Sequence, residues 1–492
     1  MTTRRLVFWI TLLAIFAMAA RISVDTDSWW HLRAGQWIVE NRQVLQTDPF
    51  SYTRYEEAWH YPGWLAEVPM YAIYRAFGPG GLNLWTAAMV MLTFWFIWKT
   101  LTGGEFLRAF VLILAATSSG VYWAARPHLV TFVFSAAYLW ILNDWSDDRL
   151  PSVSRRLWWL PVMMVLWANS HGGFAVGFII WGVYMIGRLK IEGLRLVENK
   201  RQGSIFNLLP PSRQLLMVGV AMIVAVCLNP SGPVMLLYAF KTINIGVLQD
   251  FIQEWQSPNF HEWAVQPFMW LVLILLGVLG VSKQRIRLED YLLLAGFGYL
   301  GFVAARNIAL FALAAPMVLT RHAAPLLEEL GERWGFRLPA RSPARLARGQ
   351  SILNWILLGV LILAVGVKSS LVIPQSENET HFRATLPVAA VEYIRDEQPN
   401  GRLFNSYNWG GYLQWALPEY PVFVDGRTDL YGDEIILQWI QVVQADDGWQ
   451  TVLDDWDVNL VLIEPVRPLA RELANEDWQL LYEDDLAVVY GR

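Results

Sequence analysis

Asp25-Thr26-Asp27-Ser28-Trp29-Trp30-His31-Leu32 sets two carboxylates and an imidazole directly after the first long apolar run, Leu6 to Ala20. Arg4 and Arg5 precede that run, so the positive-inside bias holds the N-terminus in the cytoplasm and sends the Asp pair to the outer face. The reading of the fold starts there, with a first membrane span followed by an acidic outer loop. Thr2-Thr3-Arg4-Arg5, a short apolar run and Ala17-Met18-Ala19-Ala20 also fit a cleavable signal peptide. Either way the Asp pair lies outside.

Outward from this stretch, 55% of the 492 residues are hydrophobic, and apolar runs of near-spanning length recur until about residue 373. That composition belongs to a polytopic membrane protein rather than an ordinary globular one. The single cysteine, Cys227, lies in an apolar run, which excludes an intrachain disulfide and suggests no thiol chemistry. The overall charge of -5 hides a split: residues 1–373 carry 31 Lys+Arg against 21 Asp+Glu, and residues 374–492 carry 7 against 22. We therefore expect a transmembrane domain over 1–373, with an outer loop at 24–81, and a separate acidic, water-exposed domain over 374–492.

The apolar runs predict eleven spans, at 6–23, 82–101, 107–125, 127–143, 157–170, 172–187, 214–229, 265–281, 288–304, 307–320 and 352–373. Several are shorter than the ~20 residues of a straight crossing, so tilted or broken helices are expected. Four basic loops fall on one side under this assignment: Arg149, Arg155 and Arg156; Arg188, Lys190, Arg195, Lys200, Arg201 and Arg213; Lys283, Arg285 and Arg287; and the stretch from Arg321 to Arg348. An odd count then puts the tail outside. Asp25, Asp27, His31, Arg126, His128, Asn169, His171, Asn229, Glu254, Arg306 and Asn307 collect at the same outer side. Polar groups are expected near span ends, because a charge at mid-depth costs roughly 2.5–3.5 kcal/mol. A preference for one end is not. Most of the 27 tryptophans fit interface anchoring, while Trp29, Trp30, Trp59 and Trp64 in the outer loop can also stack on a ligand.

The outer loop continues through Asp48-Pro49-Phe50-Ser51-Tyr52-Thr53 and Trp59-His60-Tyr61-Pro62-Gly63-Trp64, and Trp64 to Phe77 reads as an amphipathic helix in the interface. A carboxylate such as Asp25 or Asp27 can take the proton of an attacking hydroxyl, and cations can hold a departing phosphate. Arg126-Pro127-His128 and Arg306-Asn307 supply guanidinium forks at headgroup depth. Structural pairing of the two arginines with Asp25, Asp27 or Glu254 is the alternative. Asn169-Ser170-His171-Gly172-Gly173 interrupts two apolar runs as a turn or broken helix lining a polar cavity would. An Asp-x-Asp with scattered histidines leaves a divalent cation open and does not establish one.

In the tail, strands at Arg402–Asn405, Val422–Asp425, Asn459–Ile463 and Leu486–Tyr490 alternate with helices at Val388–Glu397 and Glu434–Gln444, which predicts a small α/β domain. Loops 405–412 and 425–432 follow its early strands. If those strands are neighbours, Trp409, Asp425, Arg427 and Tyr431 meet in the crevice at the strand ends; a purely structural turn is the competing reading.

The acidic pair Asp25-Thr26-Asp27 in the first outer loop, followed by many helices and an outer soluble domain, resembles the GT-C superfamily of polytopic glycosyltransferases. The chain is similar over nearly its whole length to a bacterial group with D-x-D-x-W-W-H-L, D-P-F-S-x-T, G-G-Y-L (Gly410 to Leu413) and D-G-R-x-D-x-Y (Asp425 to Tyr431) motifs. The resemblance implies a polyprenyl-phosphate sugar as donor and a first-loop Asp as base. Because Asp25 follows the first span directly, we rank it above Asp27. His31, Arg126, His128, Asn169, His171, Arg306 and the four tail residues are the expected substrate contacts. The acceptor is an extracytoplasmic glycan, lipid or protein of the cell envelope, membrane lipid is a partner, and nucleic acid is not. The setting is the bacterial cytoplasmic membrane. The competing function is a non-enzymatic lipid-linked glycan transporter or polymerase accessory with a glycan-binding tail. A transporter should carry polar residues through the midplane and repeat symmetry, neither of which is visible in the sequence.

Overall fold

The computed structural model describes residues 1–147, 154–198, 210–243, 245–335 and 348–492. Arg149, Lys200, Arg201 and the middle of the Arg321–Arg348 stretch lie outside the described residues. In chain order the helices of the first part are α1 (Thr3–Ala19), α2 (Asp27–Asn41), α3 (Trp64–Thr100), α4 (Glu105–Ser119), α5 (His128–Asp147), α6 (Trp159–Trp167), α7 (Ala175–Glu198) and α8 (Pro210–Val226). After two short helices, α9 (Tyr238–Ile243) and α10 (Gly246–Phe251), come α11 (Gln266–Val281), α12 (Leu288–Val303), α13 (Ile308–Trp334) and α14 (Arg348–Ser370).

Each of the eleven apolar runs falls on one of these helices. Among the described residues, five helical stretches are long and apolar enough to cross a membrane: Trp64–Thr100, Glu105–Tyr122, Gly172–Glu192, Ala305–Trp334 and Arg348–Ser370. α13 is the axis of the bundle, and every residue from Ile308 to Thr320 is buried. A helix apolar on all sides has neighbours on all sides; here Phe268 of α11, Phe297 of α12, Leu112 of α4 and Leu139 of α5 belong to the same core.

The helix expected from Trp64 to Phe77 is present and is continuous with an apolar helix long enough to span a membrane. Gly78 adopts φ 62°, ψ -162° just before Pro79, which breaks α3 into an outer arm from Trp64 to Phe77 and an apolar arm beyond it. α2 was not anticipated; it begins at Asp27 within what read as loop.

The last part comprises α15 (Gln375–Arg383), α16 (Val388–Glu397), β1 (Arg402–Asn405), α17 (Gly410–Ala416), α18 (Thr428–Val443), α19 (Trp449–Asp455), β2 (Val458–Ile463), α20 (Pro468–Asn475), β3 (Gln479–Glu483) and β4 (Val488–Gly491). The sheet runs β1-β2-β4-β3. β1 and β2 are parallel with Phe404 opposite Val461, and β4 pairs antiparallel with both β2 and β3. The expected strand at Val422–Asp425 is not a member of the sheet. It makes one parallel bridge to Ser51 of the outer loop, with Val422 donating to the Phe50 carbonyl and Tyr52 to the Val422 carbonyl, both at 3.2 Å. The Asn405 side chain ties it to β1, accepting from Phe423 N–H at 2.9 Å and donating to the Val424 carbonyl at 2.8 Å.

The tail therefore folds onto the outer loop. Trp29, Leu32, Met70 and Leu82 share one apolar core with Leu386, Leu413, Leu462 and Val489. A second core, built on Phe404, Phe423, Val461 and Ile463, is mostly the tail's own, joined by Val247 and by Tyr52 at its edge.

Candidate active site

The acidic stretch folds as a helix start. Asp25 Oδ1 accepts the N–H of Asp27 at 3.0 Å, filling one of the orphan donors of the first turn of α2. Arg126 precedes Pro127 at the entrance of α5, and Arg306 lies in the single turn Ala305–Asn307 before α13. Three separate chain segments thus deliver charge to one point.

There Arg126 forks onto Asp25, its Nε and Nη2 each 2.6 Å from a carboxylate oxygen. Its Nη1 reaches Asp27 Oδ2 at 2.9 Å and Glu254 Oε2 at 3.4 Å. Glu254 also takes Arg306 Nη1 at 3.0 Å, and the Arg306 guanidinium lies 4.5 Å from the centroid of the Trp255 ring. The pairing posed as the alternative for both arginines is thus present. The network is nevertheless open: the side chains of Arg126, Asp27, Glu254 and Arg306 keep 22%, 24%, 28% and 31% of their surface exposed.

The three carboxylates differ. Partial burial, partly opposed by Arg126 and reinforced by Asp25, Glu254 and Asp425, pushes Asp27 up to about 7. Burial would also raise Glu254, but Arg306 and Arg126 outweigh it and hold Glu254 down to about 2. Asp25 is locked by the two-point fork. Asp27, by contrast, meets Arg126 through Oδ2 alone. As for a cation, the Arg126 guanidinium fills the space among Asp25, Asp27 and Glu254. Among the described residues no group of three or more His, Cys, Asp or Glu is arranged to hold a metal ion.

The histidines separate into two kinds. His31 is buried, shares a 2.9 Å hydrogen bond between Nδ1 and Glu67 Oε1, and lies 3.5 Å, centroid to centroid, from the Trp30 ring. Burial, helped by the Arg126 charge, keeps it neutral; it ties α2 to Glu67 of α3. His171 accepts from Gly173 N–H at 3.0 Å through Nδ1, which also meets Thr131 Oγ1 at 2.8 Å. Thr131 Oγ1 in turn accepts from Trp167 Nε1 at 2.9 Å. An acceptor Nδ1 leaves the ring proton on Nε2, a donor. His128 lies 6.4 Å from His171 between ring centroids and bonds the Tyr122 carbonyl through Nε2 at 2.7 Å. Asn169 is a buried joint, taking Trp64 Nε1 at 2.8 Å and donating to the Val165 carbonyl at 2.8 Å. Trp29, Trp30 and Trp59 are buried in packing as well.

Of the expected tail residues Asp425, Arg427 and Tyr431 come together, but in the interior rather than in an open crevice. Arg427 Nη1 meets Asp48 Oδ1 at 2.6 Å and its Nη2 meets Asp425 Oδ2 at 2.7 Å, with all three side chains sealed from solvent. Asp425 also accepts from the Tyr431 hydroxyl at 2.5 Å and from Gln414. Asp48 accepts from the N–H groups of Phe50 and Ser51 at 3.0 and 3.1 Å. Trp409 is buried in the core shared with the outer loop. D-P-F-S-x-T and D-G-R-x-D-x-Y are two halves of one clamp. Asp429, at its edge, accepts from Trp59 Nε1 at 3.2 Å and from the Tyr238 hydroxyl at 3.1 Å, tying the loop that carries Glu254 to the tail. Sequence reasoning noted Glu254 as an outer polar residue and as a structural partner for the two arginines; its isolation in an otherwise uninformative loop gave no stronger signal.

No protein-family model and no curated protein matches the chain. Solved structures do. The archaeal oligosaccharyltransferase AglB from Archaeoglobus fulgidus, in complex with an inhibitory peptide and a dolichol-phosphate, superimposes with a TM-score of 0.57 at 11% identity, covering 93% of this chain and 69% of AglB. At that identity the likeness is one of fold, shared with AglB over nearly the whole chain. The arabinofuranosyltransferase AftD from Mycobacteria gives 0.50 at 12% identity, covering 100% of this chain and 40% of its own.

Proposed function

We propose that the protein is an inverting membrane glycosyltransferase that moves a sugar from a polyprenyl-phosphate donor to an extracytoplasmic acceptor of the bacterial cell envelope. The observation that carries it is the partly exposed Asp27 carboxylate, 2.9 Å from Arg126 in a network that Glu254 extends to Arg306; burial pushes that carboxylate up to about 7. Asp27 takes the proton of the acceptor hydroxyl as its oxygen bonds to the anomeric carbon. The anomeric carbon–phosphate oxygen bond breaks, and its electron pair leaves with the lipid phosphate. Arg306, the outward edge of Arg126 and the His171 Nε2 proton stabilise that charge. Asp25 keeps Arg126 in register, so its part is positioning.

The same reading places eleven crossings in the cytoplasmic membrane, the N-terminus inside and the tail outside. Lipid-borne phosphate then meets Arg126 and Arg306 at headgroup depth. A carboxyl-terminal reporter active only in the cytoplasm should stay silent, and a strong signal would remove the odd span count.

The decisive assay incubates purified protein with labelled polyprenyl-phosphate sugars and cell envelope. Transfer of label that depends on Asp27 supports the proposal. Absence of transfer with every donor, despite a folded protein, counts against it.

A further inference from the structure

Two glycine-bearing motifs of the tail, G-G-Y-L and D-G-R, have no part in the chemistry above, yet both press their backbones on the start of α2. A Cβ on Gly411 would stand 3.0 Å from the Thr26 carbonyl oxygen and 3.3 Å from Trp30 N. One on Gly426 would stand 2.0 Å from Asp27 Oδ1, 2.9 Å from Asp27 Cγ and 3.2 Å from Trp30 Nε1. Gly426 has no positive φ, so its backbone would accept any residue; what the position demands is empty space. Nor can its backbone retreat, because its neighbours Asp425 and Arg427 are sealed in the clamp to Asp48. The Asp27 carboxylate leans on a surface that only glycine provides.

We propose that the tail is part of the catalytic centre, with Gly426 as the positioning residue that fixes where the Asp27 carboxylate stands. The inference rests on the reading of Asp27 as the base. It gives the tail a role other than glycan binding: the clamp holds Gly426, Gly426 holds Asp27, and Asp27 faces the acceptor. Gly410 serves differently, since a Cβ there would lie 2.1 Å from the Val424 carbonyl, against backbone that cannot yield. Substitution at Gly410 should disrupt the tail itself, whereas Gly426→Ala should displace one movable side chain.

The test compares the full-length protein with Gly426→Ala and Asp27→Asn in the transfer assay. Gly426→Ala should unfold near the wild-type temperature, bind labelled donor as before and keep its donor KM, while kcat falls about 100-fold, the loss expected when a reacting group moves by about 1 Å. The acid limb of its pH–rate profile should also move below that of wild type, since a carboxylate pushed outward is less desolvated. Asp25, Arg126, Glu254, Asp425, Tyr61 and Tyr407 still face it in the variant, so the shift reports the place of Asp27. Wild-type kcat and pH limb in Gly426→Ala, with Asp27→Asn inactive, overturn the inference and leave the base assignment standing. Full activity in Asp27→Asn overturns both. If Gly426→Ala proves unstable, adding Asp27→Ala removes the clash and should restore the unfolding temperature; failure to restore it sinks the proposal.

Discussion

Arg126 and Arg427 each lie between two aspartates of short motifs, and the two sites do opposite things. Around Arg427 the network is closed. Every partner is buried, rings of Phe50 and Trp59 cover the guanidinium at 5.4 and 4.9 Å, and the ion pairs replace lost hydration only because the geometry is complete. Around Arg126 the network is open, shared among three carboxylates and one further arginine, with one carboxylate left near neutrality. The difference teaches that exposure, rather than residue type, separates a sealed clamp from the proposed reaction centre. Both sites offer Arg between acids; only one is open to solvent.

The contrast can be broken most directly at Asp27. Asp27→Asn cannot take a proton, and turnover should fall ~10²–10⁴-fold while the unfolding temperature stays at or above wild type, because a strained carboxylate has been neutralised. If the variant instead unfolds with its donor binding lost, the open network is a second clamp. Next comes Arg427→Leu, which strands Asp48 and Asp425 in the interior. Breaking a buried pair costs about 3–5 kcal/mol, so thermal unfolding of the tail should drop sharply, whereas a variant of unchanged stability would mean that the clamp carries little.

A smaller effect is set by pH. Asp27 titrates at about 7 in the folded protein, above the ~3.9 of an unfolded chain. The folded state therefore holds a proton that the unfolded state has released, and the Asp27 contribution to stability declines as pH rises from about 4 to 7. Activity should run the other way, climbing about tenfold per unit below pH 7 and levelling above it. In Asp27→Asn the stability decline due to this group should vanish. The smallest change is Tyr431→Phe, which removes one donor to Asp425 and leaves its Arg427 pairing. About 1 kcal/mol of stability should go with kcat unaltered, as measured by denaturant unfolding beside the transfer assay.

Much of the helical framework was legible because a span must be long and apolar, and each predicted run met a helix. Asp25, Asp27, Arg126 and Arg306 converge because polar residues at span ends on one side have only one surface to share. What the sequence concealed is long-range pairing. Val422–Asp425 has the alternation of a strand, but its partner is Ser51 rather than a sheet neighbour, and no local pattern announces that. Asp425, Arg427 and Tyr431 read as crevice residues because polar side chains in a loop are ordinarily wet; their partner Asp48 lies in a distant motif. Gly426 was quoted in a motif without a purpose, since a need for vacant space at Asp27 is invisible in one dimension.

Arg427 follows Asp48 by 379 residues, and that separation has a consequence for biosynthesis. The loop that carries Asp48 leaves the ribosome long before the segment that completes it is made. During that interval Trp29, Trp30, Phe50 and Trp59 face water or lipid without their covering, and Asp27 has no wall to rest against. If Asp27 is the base and the tail is exported as proposed, a prematurely terminated or untranslocated tail should yield a protein that is inserted in the membrane yet chemically silent.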